Sequence, residues 1–261
     1  MSGFPTLFIS HGAPTMALED NETTRSWQAL GRRFPQPRAL LVISAHHHAC
    51  APTLTANSNP DTIHDFGGFA NALYQLRYGA PGSAELAEEA RQLLLTAGFD
   101  AAAVDPARGL DHGVWVPLRH MYPDADVPVV SLSVSPARDA RWHFELGRAL
   151  APLRARGVLI IGSGGLTHNL GALDWHGSNA GTAVWAIAFV DWFLAKLRAQ
   201  AIDDLLEWRQ AAPEPRRNHP TSEHLLPVFV ALGAARTGFS TSVTSAVFSH
   251  GSLALHGLEF A

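Results

Sequence analysis

A chain of 261 residues, 47% of them hydrophobic, can bury a sizeable core, and length alone allows one or two domains. Charged residues make up only 16%, under the roughly 25% of ordinary soluble domains, which leaves room for a covered face such as that of a homo-oligomer. The formal charge of −4, from 19 Lys and Arg against 23 Asp and Glu, gives no electrostatic pull toward nucleic acid or an anionic membrane, and neither is expected as a partner.

The single cysteine, Cys50, cannot close an intramolecular disulfide, so nothing asks for an oxidising compartment. The N-terminal stretch lacks a basic region and is interrupted by Pro5, unlike a signal peptide. No apolar run reaches the roughly 20 residues of a membrane-spanning helix; the nearest, Val184 to Leu197, carries Asp191. The expected location is the cytoplasm.

In chain order, aliphatic runs predict buried strands at Thr6 to Ile9 and Ala39 to Ser44. A helix follows from Ser83, a candidate N-cap with Glu85 in the first turn, and runs through Phe99, with Gly98 as its stop. A third strand spans Val127 to Val134 and a second helix about Ala137 to Ala155, which feeds a strand at Gly157 to Ile161. Helices are expected again from Ala183 to Gln200 and from near Thr221 to Gly233, with Pro213 to Pro220 as a loop. Strands alternating with helices of roughly 10 to 18 residues predict an α/β fold, its central sheet covered on both faces. No repeat, low-complexity tract or linker divides the chain, so residues 1–261 read as one domain.

Histidine, at 14 residues, is the abnormal component. The first strand ends in Ser10-His11-Gly12-Ala13-Pro14 and the second in His46-His47-His48, where open α/β sheets place their ligands. Asp111-His112 lies between glycines in Gly109 to Pro117. The strand ending at Ile161 enters Gly162-Ser163-Gly164-Gly165-Leu166-Thr167-His168-Asn169, a loop lacking the Gly-Lys-Ser/Thr ending and the dinucleotide spacing of phosphate binders. His219-Pro220 precedes Glu223-His224 at an expected helix start capped by Thr221 or Ser222. Residues 223 and 224 there would point about 100° apart, so one would be a ligand and the other a supporting group.

Weaker candidates surround these. His64 lies among aromatics as a pocket-mouth or loop residue, His250 is undecided, and His120, His143, His176 and His256 read as surface positions. The series Trp185, Phe189, Trp192, Phe193 has helical spacing and reads as core or interface. Neutral imidazoles with no thiolate cluster suit Fe(II), Zn or Mn.

Taken together, Ser10 to Pro14, Ile43 to His46, Asp65-Phe66-Gly67-Gly68-Phe69, Gly109 to Leu118, Gly162 to Asn169, and His219-Pro220 with Glu223-His224 resemble, in order, the class III extradiol ring-cleavage dioxygenases. Within that family they are most similar to the 4,5-DOPA extradiol dioxygenase branch. The resemblance implies one α/β domain with a mixed sheet and a metal at the strand carboxyl ends, held by His11, His46 and His224. Glu223 is the reserve ligand, because the wider class uses a glutamate where the DOPA branch uses histidine. The choice of His46 among three consecutive histidines rests on motif register. By resemblance His168 is the general base toward a catechol hydroxyl, and His112 a hydrogen-bond donor to bound oxygen or substrate. The implied reaction opens a DOPA-like catechol ring beside the diol with O2, using Fe(II) and no organic cofactor; a three-histidine set also leaves zinc open as the bound metal. Tyr74, Tyr78, Trp115 and Phe69 are candidates to line the pocket. The alternatives are a zinc-dependent hydrolase and a non-enzymatic binding protein like the Memo proteins.

Overall fold

The computed structural model describes residues 3–175 and 181–261. Among them eight strands form one sheet: β1 (Thr6–Ser10), β2 (Ala39–His48), β3 (Thr53–Thr55), β4 (Ala103–Asp105), β5 (Val129–Val134), β6 (Val158–Gly164), β7 (Thr241–Ser249) and β8 (Leu253–Phe260). Their order is β4-β3-β5-β2-β6-β1-β8-β7. The centre, β5-β2-β6-β1, is parallel, and the β7-β8 hairpin adds antiparallel strands beside β1. On the other side β3 is antiparallel to β5 and parallel to β4. The sheet is therefore mixed, as expected.

Side-chain alternation along the central strands builds two cores. Phe8, Leu41, Ile43, Val158 and Ile160 pack on one face with the helices α2 (Ala84–Thr96), α4 (Ala140–Leu150), α5 (Val184–Arg198) and α6 (Leu226–Ala234). Leu7, Ile9, Leu40, Val42, Leu159 and Ile161 pack on the other with α1 (Glu22–Arg33) and α3 (His112–Met121). Phe189 and Phe193 of the aromatic series are fully buried in the first core, with Trp192 packed against it. Ser83 does cap α2, its side chain accepting from Leu86 N–H.

Several local expectations are corrected. The helix expected over Ala137 to Ala155 starts after Asp139, whose carboxylate accepts from Trp142 N–H, and breaks at Ala151 because Pro152 offers no N–H. The last long helix begins at Leu226 rather than near Thr221, with Pro227 in its first turn and no side-chain cap from Thr221 or Ser222. Pro213 to Pro220 holds a short helix, Pro215–Asn218. The β7-β8 hairpin has no counterpart in the predicted elements, because β7 is rich in Ser and Thr and lacks the aliphatic run that marks a buried strand.

His143 and His256 are buried rather than superficial. His143 donates from Nδ1 to the Asp139 carbonyl and accepts Ser135 N–H at Nε2. His176 lies outside the described residues.

Candidate metal centre

The carboxyl ends of β1, β2 and β6 meet at one edge of the sheet, and the histidines cluster there. His11 follows β1 directly. His46 lies within β2, which runs on to His48 instead of ending at Ser44, and its register against β5 shifts between Ser44 and His48. Such a bulge re-aims side chains, and it separates three adjacent imidazoles. His46 reaches the cluster, His47 is buried beside Ser131 Oγ at 3.1 Å, and His48 Nε2 donates to the Ala45 carbonyl at 2.6 Å. His224 occupies the turn before α6. A Cβ at Gly164 would lie 2.1 Å from the His224 carbonyl, so the glycine there lets the turn press against β6 and bring its ring to the edge.

His46 Nε2 lies 3.0 Å from His11 Nε2 and 3.2 Å from His224 Nε2. The opposite nitrogen of each ring has an oxygen partner. Ser163 Oγ donates to the Gly113 carbonyl, so at 3.0 Å from His11 Nδ1 it accepts that ring's N–H. His46 Nδ1 lies 3.4 Å from Asp65 Oδ2, and His224 Nδ1 lies 3.3 Å from Glu223 Oε1. Hydrogen bonds at Nδ1 of His11 and His224 leave their Nε2 lone pairs toward the shared centre, the tautomer a metal ligand needs, and the nearby Asp65 carboxylate favours the same tautomer of His46. Two nitrogens bonded to one ion at about 2.1 Å would stand about 3.0 Å apart across a right angle and about 3.4 Å apart at a tetrahedral angle. These donors fit a single divalent ion.

Electrostatics agree with that fit. Burial, reinforced by the neighbouring imidazoles, holds His11 and His224 well below the ordinary histidine value. His46 is lowered to about 3, by burial first and then His112. Rings kept neutral at physiological pH are the form that binds metal.

Two more histidines complete the cluster. His168 lies beyond β6, its ring stacked on that of His224 with centroids 3.3 Å apart and planes 6° apart; burial lowers it to about 4, against the opposing effect of Glu223. The His112 ring is centred 3.9 Å from that of His46 and 5.3 Å from that of His11. Asp65 grips His112 twice, accepting its backbone N–H at Oδ1 (2.9 Å) and lying 3.0 Å from Nδ1 at Oδ2. Burial raises the Asp65 carboxyl, but the hydrogen bonds and charge of His112, with His46, outweigh it and hold it at about 2. Asp111 is fully buried beneath, accepting from Ser44 Oγ at 2.6 Å and paired with Arg108 at 3.3 Å.

All five histidines singled out as ligands or catalytic groups thus converge. Glu223 sits at the Nδ1 of His224, also accepting from Thr221 Oγ1 at 2.7 Å, and so stands behind that ring. Asp65 and Ser163 lie within the sequence motifs, but nothing local in those motifs signals their orienting contacts. His64 bonds the Leu76 carbonyl at 3.1 Å among Phe66, Tyr74 and Trp115. Phe66 in turn packs edge-on to His112, so this aromatic group borders the centre. Tyr78 does not line it: the side chain is buried in the core and its hydroxyl donates to the Tyr122 carbonyl. Trp115 is fully buried, donating to the Ile63 carbonyl. No helix among the described residues is long and apolar enough to cross a membrane.

Comparison with known proteins places this geometry. A solved structure of an uncharacterised Escherichia coli K12 protein superposes with a TM-score of 0.84 at 35% identity, covering 99% of this chain and all of that one. The 4,5-DOPA dioxygenase extradiol of Beta vulgaris is 44% identical over 88% of this chain and 86% of its own length. The protein of that name from Portulaca grandiflora is 38% identical over 98% of this chain and 95% of its own. The family model of the catalytic LigB subunit of aromatic ring-opening dioxygenase matches residues 5–254. The chain belongs to this family of metal-dependent, ring-opening dioxygenases.

Proposed function

We propose that this dioxygenase, acting as one catalytic unit over residues 1–261, opens the ring of a DOPA-like catechol beside its diol. His11, His46 and His224 hold the metal, with Fe(II) as the active ion and zinc able to occupy the same nitrogens. The observation that carries the reading is the set of three Nε2 atoms, His46 lying 3.0 Å from His11 and 3.2 Å from His224, each ring with an oxygen beside its Nδ1. The DOPA-named relatives support the substrate class.

The bound metal supplies Lewis acidity, which lowers the catechol hydroxyl pKa values, and an electron path between ring and O2. The chain's own groups do the rest. His168, unprotonated at neutral pH because burial lowers it to about 4, accepts a catechol hydroxyl proton and returns it to the opened product. His112, whose Nδ1–H is accepted by the ionised Asp65, takes a proton at Nε2 and then donates a hydrogen bond to an oxygen of the substrate pair. Phe66, stacked edge-on to His112, keeps that side of the centre apolar and limits water.

The test is oxygen uptake by protein reconstituted anaerobically with Fe(II) and challenged with a catechol panel that includes DOPA, while the yellow ring-opened product is followed. Uptake with colour is the expected result. No uptake with any catechol, despite full iron loading, would overturn the reading.

A further inference from the structure

The β7-β8 turn carries a residue that the reaction has not used. A cavity beside the centre is bounded by His11 and His168 at its inner end and by Leu173, Trp175, His250 and Leu253 farther out. Its Ser10 hydroxyl is spent inside the fold, donating to the His256 carbonyl and accepting Leu166 N–H. Among the described lining residues, the polar side chains left outside the centre are His250 and the indole of Trp175. Their rings lie 5.2 Å apart.

His250 has φ of +49° and Gly251 of +76°, and Ser252 N–H bonds back to the Ser249 carbonyl. Two consecutive left-handed residues favour Asn-Gly in a tight hairpin, and histidine is among the side chains that enter this region more readily than most. Asp174 N–H donates to the His250 carbonyl at 2.9 Å, and Ala183 N–H to the Gly251 carbonyl at 2.7 Å. The turn is thus clamped between two other segments. Ser249 Oγ lies 2.7 Å from His250 Nδ1; with the hydroxyl donating there, Nε2–H is left as a free donor.

Resting on the ring-opening reading above, we propose that His250 is a specificity-determining residue, donating a hydrogen bond to a carboxylate on the side chain of the catechol being cleaved. The centre holds the diol oxygens, the leucines cover the connecting carbons, and the imidazole meets the charged end. A mainly apolar cavity with the His250 donor at its rim discriminates by leaving that donor unmatched when the carboxylate is missing.

Calorimetry on zinc-loaded protein tests this without turnover, using 3,4-dihydroxyphenylpropanoate and 4-methylcatechol as probes. The wild type is expected to bind the carboxylate about tenfold more tightly, and His250→Asn, which tolerates the left-handed backbone, to bring the two within about twofold. His250→Gly, free of backbone strain, should behave alike, and both variants should keep their metal content and melting temperature. No preference in the wild type, or one that survives both substitutions, would overturn the proposal. Oxygen uptake by the iron form across the catechol panel is a separate arm: failure with every catechol would overturn the ring-opening reading, while the ratio of affinities still decides His250.

Discussion

The two halves of the centre are held in different ways. His11, His46 and His112 come from the sheet edge and the start of α3, and each Nδ1 meets an oxygen from a distant segment, Ser163 or Asp65. His168 and His224 come from loops after β6 and before α6. They lean on one another as stacked rings, with Glu223 as the outer support of His224. The first half is a preformed bracket whose ring orientations follow from the packed sheet. In the second, the proposed ligand His224 is also the platform on which the proposed proton acceptor His168 stacks. On the proposed roles, His11 and His46 gain as ligands from the rigid bracket, while the loop half holds the proton carrier, which must exchange its partner during the reaction.

The largest expected effects come from removing the proposed ligands. His46→Ala should lose stoichiometric metal and with it turnover, as should His224→Ala across the divide; metal analysis of the purified variants checks both. Retention of full Fe(II) by His46→Ala would show that the bracket is assigned to the wrong ring. His168→Ala is expected to keep its metal and lose about 10²- to 10⁴-fold in kcat, the usual worth of a positioned proton carrier. Loss of metal in that variant would make His168 a ligand and erase the distinction between the two loop histidines.

A ring outside the centre provides a reference for burial alone. His143 is lowered to about 4 by burial, against the Asp139 carbonyl and charge. Because its folded pKa lies below the ordinary 6.5, the unfolded chain takes up the proton first. The stabilisation is complete above about pH 6.5 and is lost as pH falls toward about 4, amounting to roughly 3 kcal/mol for such a shift. Urea unfolding of wild type and His143→Gln at pH 7 and 4.5 should show a flatter pH dependence in the variant. Equal slopes would mean that His143 is not a neutral, depressed ring in the fold.

Legibility followed sequence distance. His11 stands out because an apolar run stops at it, and the Asp111-His112 and Gly162-to-His168 motifs are contiguous stretches. The register of His46 was open on local grounds, since three identical residues differ only by a bulge that pairing with β5 creates. Asp65 and Ser163 act across 47 and 152 residues, and no periodicity or spacing announces such a contact. His250 is illegible for a related reason: β7 lacks an aliphatic run, so nothing local marks the hairpin that makes position 250 a left-handed turn. The expected cap at Thr221 or Ser222 failed because Pro227 sets the start of α6, which leaves His224 in a turn where its ring and Glu223 can meet.

The carboxylates sharpen the comparison at smaller scale. Asp65 lies against both His46, a proposed ligand, and His112, so Asp65→Asn is expected to cost about 10- to 100-fold in metal affinity or activity, the range for a group that orients a ligand. Metal affinity and kcat should fall together, since one carboxylate serves both rings; an effect on kcat alone would confine its role to His112. Glu223 supports His224 from one side only, at 3.3 Å, and is itself held by Thr221. Glu223→Gln keeps an oxygen acceptor for Nδ1–H and should change metal affinity less than about tenfold. If Glu223→Gln instead loses metal as completely as His224→Ala, the carboxylate is a ligand, and the loop half of the centre follows the two-histidine, one-carboxylate pattern of non-heme iron sites.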